Sequence, residues 1–389
     1  MVIGIDGSRA FIERRTGTEE YSYQLLKHLA EIDKKNTYIV YLRPVRSSQL
    51  TVHRSDWPKN FKFKLINFPR LWTQVGLAIH TFTDNLDLLF VPSHTLPLFR
   101  KPGLKTVMTI HDLGAEYLPS LHQLKQALYL KAITKLQLKS ATHLIAVSQA
   151  TKQDLVDRVG IDPKKVTVIY EGGPTRDKYQ ETSDKEEGVM QKFGLERQKY
   201  FLFIGTIQPR KNLERLIEAF SHQLSAIREK AKKSENWSLE TDDSLKLVLA
   251  GNKGWQSAKI YHQPQAMGIS DRVLFTGFIT DEEKKILLEN ALALAFPSLF
   301  EGFGLPILEA FGSNCPVLTS NISSMPEVAG NAAILVDPYS LESILEGMMR
   351  MQNVEFRVKL IKEGHEQLKK FSWEKAARET LNVLESIKY

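Results

Sequence analysis

The sequence predicts an α/β protein of two Rossmann-like domains, each a doubly wound parallel sheet, facing each other across a cleft. Three observations carry this. Apolar runs of strand length alternate with amphipathic helical stretches, the signature of parallel strands joined by crossover helices. The alternation stops at a polar, charged stretch, residues 174–198, and then begins again. The length, 389 residues, leaves room for two domains of ordinary size.

In the first round VIGIDG reads as a short buried strand, followed after a turn by the amphipathic helix EEYSYQLLKHLAEI. YIVYL, LDLLFVPS, KTVMTIHD and HLIAVS are further strands. TKQDLVDRVG is a helix closed by Gly160, and KVTVIYEGG is the next strand. An N-terminal domain over 1–173 and a linker over 174–198 follow. The second round runs YFLFIG (strand), NLERLIEAFSHQL (helix), LKLVLAG and RVLFTGF (strands), DEEKKILLENA (helix), LALAFPS (strand), PILEAFG (helix), then CPVLTS and AAILVDP (strands). It defines a second domain over 199–371. The charged stretch 225–245 reads as a helix extension plus a surface loop, and the amphipathic WEKAARETLNVLESI closes the chain within 372–389.

Composition excludes several classes. With 42% hydrophobic and 25% charged residues the chain is globular rather than disordered. A single cysteine, Cys315, excludes an internal disulfide framework and any multi-cysteine metal site. No run of 18 uncharged apolar residues is present, so no membrane-spanning helix is expected. The opening MVIGIDGSRAF places Asp6 inside its apolar run and reads as a first strand, not a signal peptide, so a cytoplasmic protein is expected. The net charge of +7 is unevenly spread: residues 1–173 hold 24 Lys/Arg against 15 Asp/Glu, and residues 174–389 hold 28 against 30. The basic half suits an anionic partner. Its segment 121–141, with Lys125, Lys131, Lys135 and Lys139, reads as a basic, partly apolar helix of the kind that lies on anionic lipid, or as a crossover helix packed on its own sheet. Nucleic acid is not expected, for no basic–aromatic interleave or recognised motif is present.

Ligands of open parallel sheets sit at the carboxyl ends of the strands, so the segments just after strands hold the candidates. The most informative is Pro297–Ala310, PSLFEGFGLPILEA, after the strand LALAF. Gly302 and Gly304 let backbone approach a ligand. Pro306 suits the first turn of a helix and Gly312 its end. The free amides at that helix start suit an anion, and Glu309, about one turn inside, can accept two hydroxyl hydrogen bonds, as a ribose diol offers. Glu301 and Glu309, eight apart, suit separate tasks. The segment is no dinucleotide fingerprint, since Ile307 stands where a third glycine is needed.

A second segment, Gly205–Asn212 (GTIQPRKN), follows the strand YFLFI and precedes a helix that Asn212 can cap. Arg210 offers a fork to phosphate and Lys211 a point charge, so together they suit a leaving diphosphate without a metal. A third is His111-Asp112, after KTVMT. A fourth is Arg15–Tyr21, where Gly17 permits a tight turn over a phosphate.

Together these segments resemble the family-4 retaining glycosyltransferases of the GT-B fold, in particular mannosyltransferase-like members. The two glutamates within PSLFEGFGLPILEA carry most of the likeness. GTIQPRKNLERLIEAF, AVSQATKQDL, VLAGNKGW, VLFTGFITDEE, SSMPEVAGNAAILVDP and FSWEKAARETL follow in the expected order. The resemblance implies that Arg210 and Lys211 hold the donor diphosphate, with Gly205 beside them. It implies that amides around Gly302, Phe303, Gly304 and Leu305 hold diphosphate and sugar, and that Glu301 contacts the sugar hydroxyls. Glu309 binds the ribose, backbone near Phe278 and Ile279 frames the base, His111 touches the sugar from the opposite domain, and Gly17 lies over the phosphate or near the acceptor. The last helix is implied to return to the N-terminal domain. Two departures stand out: Gly205-Thr206 where many members have Gly-Arg, and Glu171-Gly172 where many have Asn-Gly.

The implied activity moves a hexosyl group, mannosyl first, from a nucleotide diphosphate sugar to a hydroxyl of a glycan or lipid-linked oligosaccharide in surface polysaccharide synthesis. GDP-mannose is the first donor candidate and UDP-sugars the second, with no metal. A peripheral site at the inner face of an anionic membrane suits the basic half. A nucleotide-sugar hydrolase or epimerase on the same fold is the competing enzyme reading, and a catalytically silent binder the non-enzymatic one. Intact Arg210, Lys211, Glu301 and Glu309 argue against the last.

Overall fold

The computed structural model describes residues 1–387 except 13–14, 16, 45–53, 69, 94, 114–132, 175–182 and 234–243. The chain divides into two compact units, Met1–Gly172 with Phe371–Tyr389, and Gly173–Lys370.

The first unit is built on a seven-stranded sheet: β1 (Val2–Asp6), β2 (Thr37–Leu42), β3 (Phe61–Leu65), β4 (Leu88–Val91), β5 (Lys105–Ile110), β6 (His143–Ala146) and β7 (Val166–Val168). Their order is β3-β2-β1-β4-β5-β6-β7, and all pair in parallel. The second unit carries β8 (Tyr200–Ile204), β9 (Lys246–Ala250), β10 (Val273–Gly277), β11 (Ala293–Phe296), β12 (Val317–Ser320) and β13 (Ala333–Val336). Their order is β10-β9-β8-β11-β12-β13, again all parallel. Both are doubly wound sheets whose strand order reverses beside the first strand, between β1 and β4 and between β8 and β11. Helices on both faces exclude water from the central strands, which is why LLFV and ALAF are apolar at every position and fully buried.

The helix Trp373–Ser386 packs on Gly17–Ile32 within the first unit. The chain reaches it through a close approach: a Cβ at Gly172 would collide with the backbone nitrogen and indole of Trp373. Tyr170 and Phe371 meet edge to face at 5.6 Å on either side of that junction.

Two differences from the sequence reading have physical causes. FKFKL forms β3 at the sheet edge, where one face is solvated and can carry Lys62 and Lys64. The stretch 174–198 is not an open linker throughout, because Ser183–Phe193 is a helix packed on Asp281–Asn290 in the second unit. Lys192 and Lys185 reach Glu283 (2.5 Å) and Glu282 (2.7 Å) across that contact. The first part of the charged stretch 225–245 continues the helix Leu213–Lys233, and the loop expected after it lies largely outside the described residues. Among the described residues no helix is long and apolar enough to cross a membrane.

Candidate active site

In the second unit the sheet topology brings the two most informative segments together. β8 and β11 are neighbours at the reversal point, so residues 205–212 and 297–304 leave the sheet side by side at its carboxyl edge. The amide of Leu299 donates to the Arg210 carbonyl at 2.8 Å and ties the two connections directly.

Gly205 closes β8, and Pro209–Lys211 forms a single tight turn that sends Arg210 and Lys211 toward the β11 connection. Lys211 is 7% exposed and its Nζ lies 2.5 Å from Glu301 Oε1, with the ammonium 5.1 Å from the centre of the Phe296 ring. Arg210 donates from Nη1 to the Phe300 carbonyl at 3.2 Å and lies 3.4 Å from Glu301 Oε2. Glu301, also 7% exposed, thus spends one oxygen on each cation. Two cations this close repel each other, and a carboxylate bridging them offsets that cost while the site holds no anion.

The Glu301 loop is pinned from β12. Ser323 donates its hydroxyl to the Glu301 carbonyl at 2.6 Å, and Ser324 donates to the carbonyls of Glu301 (3.0 Å) and Phe303 (2.8 Å). Gly304 takes φ +109°, a left-handed conformation that a side chain would strain, and turns the chain into the helix Leu305–Gly312 with Pro306 in its first turn. Asn212 does not cap the following helix through its side chain. Its Oδ1 is taken by Arg215 (2.8 Å), and its amide nitrogen donates to the carbonyls of Pro297 (3.1 Å) and Pro338 (2.7 Å), so it braces the β11 connection instead.

Glu309 forms a second ion pair. Its Oε1 meets Lys284 Nζ at 2.6 Å, and Lys284 also lies 3.1 Å from Asp281. Burial alone would lower the Lys284 pKa, but Glu309 and Asp281 outweigh it and hold the ammonium above its usual range. Lys284 stands one turn into Asp281–Asn290, whose start is fixed by a reciprocal Thr280–Glu283 capping box. Phe278, exposed, and Ile279, half-buried, lie between β10 and that helix.

In the first unit His111 follows β5 and is buried. Its Nε2 faces the Pro92 carbonyl (3.0 Å), after β4, and its Nδ1 faces Glu171 Oε1 (3.1 Å), after β7. Burial pulls the imidazole pKa down, but the bond and charge of Glu171, the Pro92 carbonyl and Asp112 more than reverse this, and the net direction is up. Tyr21 stands edge-on to the ring at 4.6 Å. Gly17 is exposed and begins Gly17–Ile32, while the adjoining Thr16 lies outside the described residues.

Sequence reasoning missed Lys284, Ser323, Ser324 and Glu171. Only Lys284 had a readable signal, since the DEEKK run makes it the cation one turn into a helix that begins at a strand's carboxyl end. Among the described residues no group of three or more His, Cys, Asp or Glu side chains is placed to hold a metal ion.

Two family models match. Glycosyltransferase Family 4 covers residues 15–176, and Glycosyl transferases group 1 covers 185–367, so between them they span most of the chain. The chain belongs to the family-4 glycosyltransferases. The enzyme is 29% identical over 280 residues to O-antigen chain mannosyltransferase B of Escherichia coli, covering 72% of this chain and 70% of the relative. It is 29% identical over 335 residues to O-antigen chain mannosyltransferase RfbU of Salmonella typhimurium, covering 83% of each. Among solved structures, Anabaena Alr3699/HepE in complex with UDP and glucose superposes with a TM-score of 0.71 at 16% identity, over 99% of each chain. The glycosyltransferase has the GT-B fold, two parallel-sheet α/β units.

Proposed function

We propose that the enzyme transfers a mannosyl group from GDP-mannose, with retention of configuration, to a hydroxyl of a growing surface glycan or its lipid-linked precursor. The observation that carries this reading is the convergence of Arg210, Lys211 and Glu301 at the carboxyl ends of the neighbouring strands β8 and β11. The names of the two mannosyltransferase relatives support the sugar. A UDP-sugar is the second reading, favoured by the UDP and glucose in the HepE complex.

In the proposed reaction the bond between the anomeric carbon and the diphosphate oxygen breaks, and a bond from the acceptor oxygen to that carbon forms on the same face. The acceptor proton passes to the departing diphosphate. Negative charge grows on the diphosphate, and fixed positive groups aimed at it lower the barrier most. Arg210 and Lys211 supply that charge, joined by the amides of Gly302, Phe303, Gly304 and Leu305 at the start of an eight-residue helix. Glu301 accepts from the sugar hydroxyls with its remaining lone pairs. Glu309 accepts from the ribose, backbone at Phe278 and Ile279 frames the base, and His111 and Gly17 attend the sugar and phosphate.

A panel of GDP-, UDP- and ADP-sugars tests the donor, since a ligand that binds only the native state raises its stability. GDP-mannose is expected to raise the Tm most and to yield product in excess EDTA. A larger shift with a UDP-sugar moves the assignment to the second reading, and no shift with any sugar nucleotide ends both.

Contact with an anionic membrane is part of the same proposal. Among the described residues, every exposed large apolar side chain of the first unit lies between residues 65 and 136. Ile79 (50% exposed) and Phe82 (55%) share a helix face, and Phe99 (81%) and Leu136 (60%) follow on adjoining segments. Lys101 donates its amide to Thr81, and Arg100 donates to the Ser140 carbonyl, so these segments are neighbours. Exposed Lys135 and Lys139 flank Leu136 on the helical turns 133–140, while Lys125 and Lys131 lie outside the described residues. Apolar side chains rimmed by lysines suit lipid headgroups of negative charge. Phe82→Ser/Phe99→Ser is expected to sediment less with phosphatidylglycerol vesicles than the wild type does. Equal sedimentation with neutral vesicles, or none, refutes the contact.

A further inference from the structure

We propose that Glu171 is a positioning residue that holds His111 as a doubly protonated imidazolium, a fixed cation at the carboxyl end of β5 that neither gives nor takes a proton during turnover. The two acceptors demand this state. The Pro92 carbonyl oxygen can only accept, so Nε2 at 3.0 Å carries a proton. An ionised Glu171 carboxylate can likewise only accept, so Nδ1 at 3.1 Å carries the second. The alternative, a neutral carboxyl donating to a singly protonated ring, is disfavoured by Asp112, which adds further negative charge beside the imidazole.

The surroundings close the arrangement. Tyr21, packed edge-on from Gly17–Ile32, is itself bonded to Thr109 through its hydroxyl (3.2 Å), and burial first of all pushes its pKa upward, so it stays neutral. The Thr151 hydroxyl donates to the His111 carbonyl (3.3 Å) and fixes the backbone. Among the described residues, the titratable groups that act on the ring include Glu171, Asp112 and Tyr21. Both ring nitrogens are spent inside the first unit. His111 is thus no general acid or base, and what it offers a nearby anion or sugar oxygen is positive charge in a constant orientation.

Part of this inference rests on the proposed function, which sets His111 at the donor sugar. The test separates the two. Ring-nitrogen NMR of the full chain, with His111 identified by its loss in His111→Asn, is expected to show both nitrogens protonated from pH 6 to 8.5 in the wild type. In Glu171→Gln the carboxylate is gone and burial dominates, so His111 is expected to lose its second proton within that window. kcat/KM for the nucleotide sugar is then expected to fall at pH 8 by about tenfold or more, the factor that corresponds to one pKa unit, and to recover as pH drops to 6. The wild-type profile shows no such step. A wild-type His111 that titrates at its usual value overturns the proposal whatever Glu171→Gln does, and so does a variant whose profile keeps the wild-type shape. A wild type inactive with every sugar nucleotide but with the expected NMR state would sink the function reading and leave the ion pair standing.

Discussion

Replacing Lys211 by methionine keeps the length and apolar bulk of the side chain and removes its charge. The structure lets the consequences for stability and for catalysis be worked separately. Lys211 and Glu301 are nearly buried and pair at 2.5 Å, while Arg210 lies 3.4 Å from the other Glu301 oxygen. Deleting one partner of a buried pair strands the other, at a cost of about 3–5 kcal/mol. Arg210 remains, so the lower end applies, and for a unit of this size about 3 kcal/mol lowers Tm by roughly 6–12 °C. Lys211→Met/Glu301→Gln removes the stranded charge as well and should restore most of that loss. Catalysis should not follow. If Lys211 neutralises the departing diphosphate, kcat/KM for donor falls by more than about 100-fold, or about 2.7 kcal/mol, in single and double variants alike. Transfer of radiolabelled mannose at a temperature well below each variant's Tm measures this. Near-normal turnover in Lys211→Met refutes the diphosphate assignment. Recovery of both Tm and turnover in the double variant refutes it too, for Lys211 would then serve only to balance Glu301.

Glu309→Ala should raise the donor KM more than it lowers kcat and weaken binding of the nucleoside diphosphate in calorimetry, and unchanged affinity would remove Glu309 from the ribose. Lys284→Met should reproduce part of that loss because it frees the Glu309 carboxylate, with Lys284→Arg restoring it; a wild-type KM in Lys284→Met would show that the pair does not position Glu309. Gly172→Ala drives a methyl into Trp373 and should cost about 1–3 kcal/mol or more, read as a lower Tm and faster proteolysis near residue 371. Melting unchanged from the wild type would mean that the junction yields at no cost.

The strands and helices that the sequence shows most clearly are those whose pattern is set by burial on both faces. LALAF and YFLFI are apolar throughout, and LKLVLA at every position but Lys246, because helices cover both sides of the sheet. FKFKL escaped the reading because an edge strand keeps one face in water, and its alternating lysines match a solvated loop as well as a strand. The 183–193 helix escaped for a related reason: its contact with Asp281–Asn290 includes the ion pairs Lys192–Glu283 and Lys185–Glu282, and its apolar residues, Val189, Met190 and Phe193, are confined to its last turns.

The candidate site divides along the same line. Residues that adjoin strand ends in the chain, Arg210, Lys211, Glu301 and Glu309, could be named because a parallel sheet delivers every strand's carboxyl end to one edge. Their partners could not, because pairing depends on which strands are neighbours, and strand order is not written in the chain. β8 precedes β11 by about ninety residues, yet the two are adjacent, and that adjacency alone turns a basic turn and a glycine-rich connection into one bridged cluster. The same holds for Asn212, whose amide spans to Pro297 and Pro338, and for Glu171, which meets His111 only because the ends of β4, β5 and β7 lie along one edge. Charge compensation within this site is therefore a property of topology. On the proposed assignment both cations at the donor diphosphate already have Glu301 as their carboxylate partner, so donor binding would exchange one anion for another rather than fill an unbalanced positive pocket, with the affinity for diphosphate set by how far Glu301 yields to it.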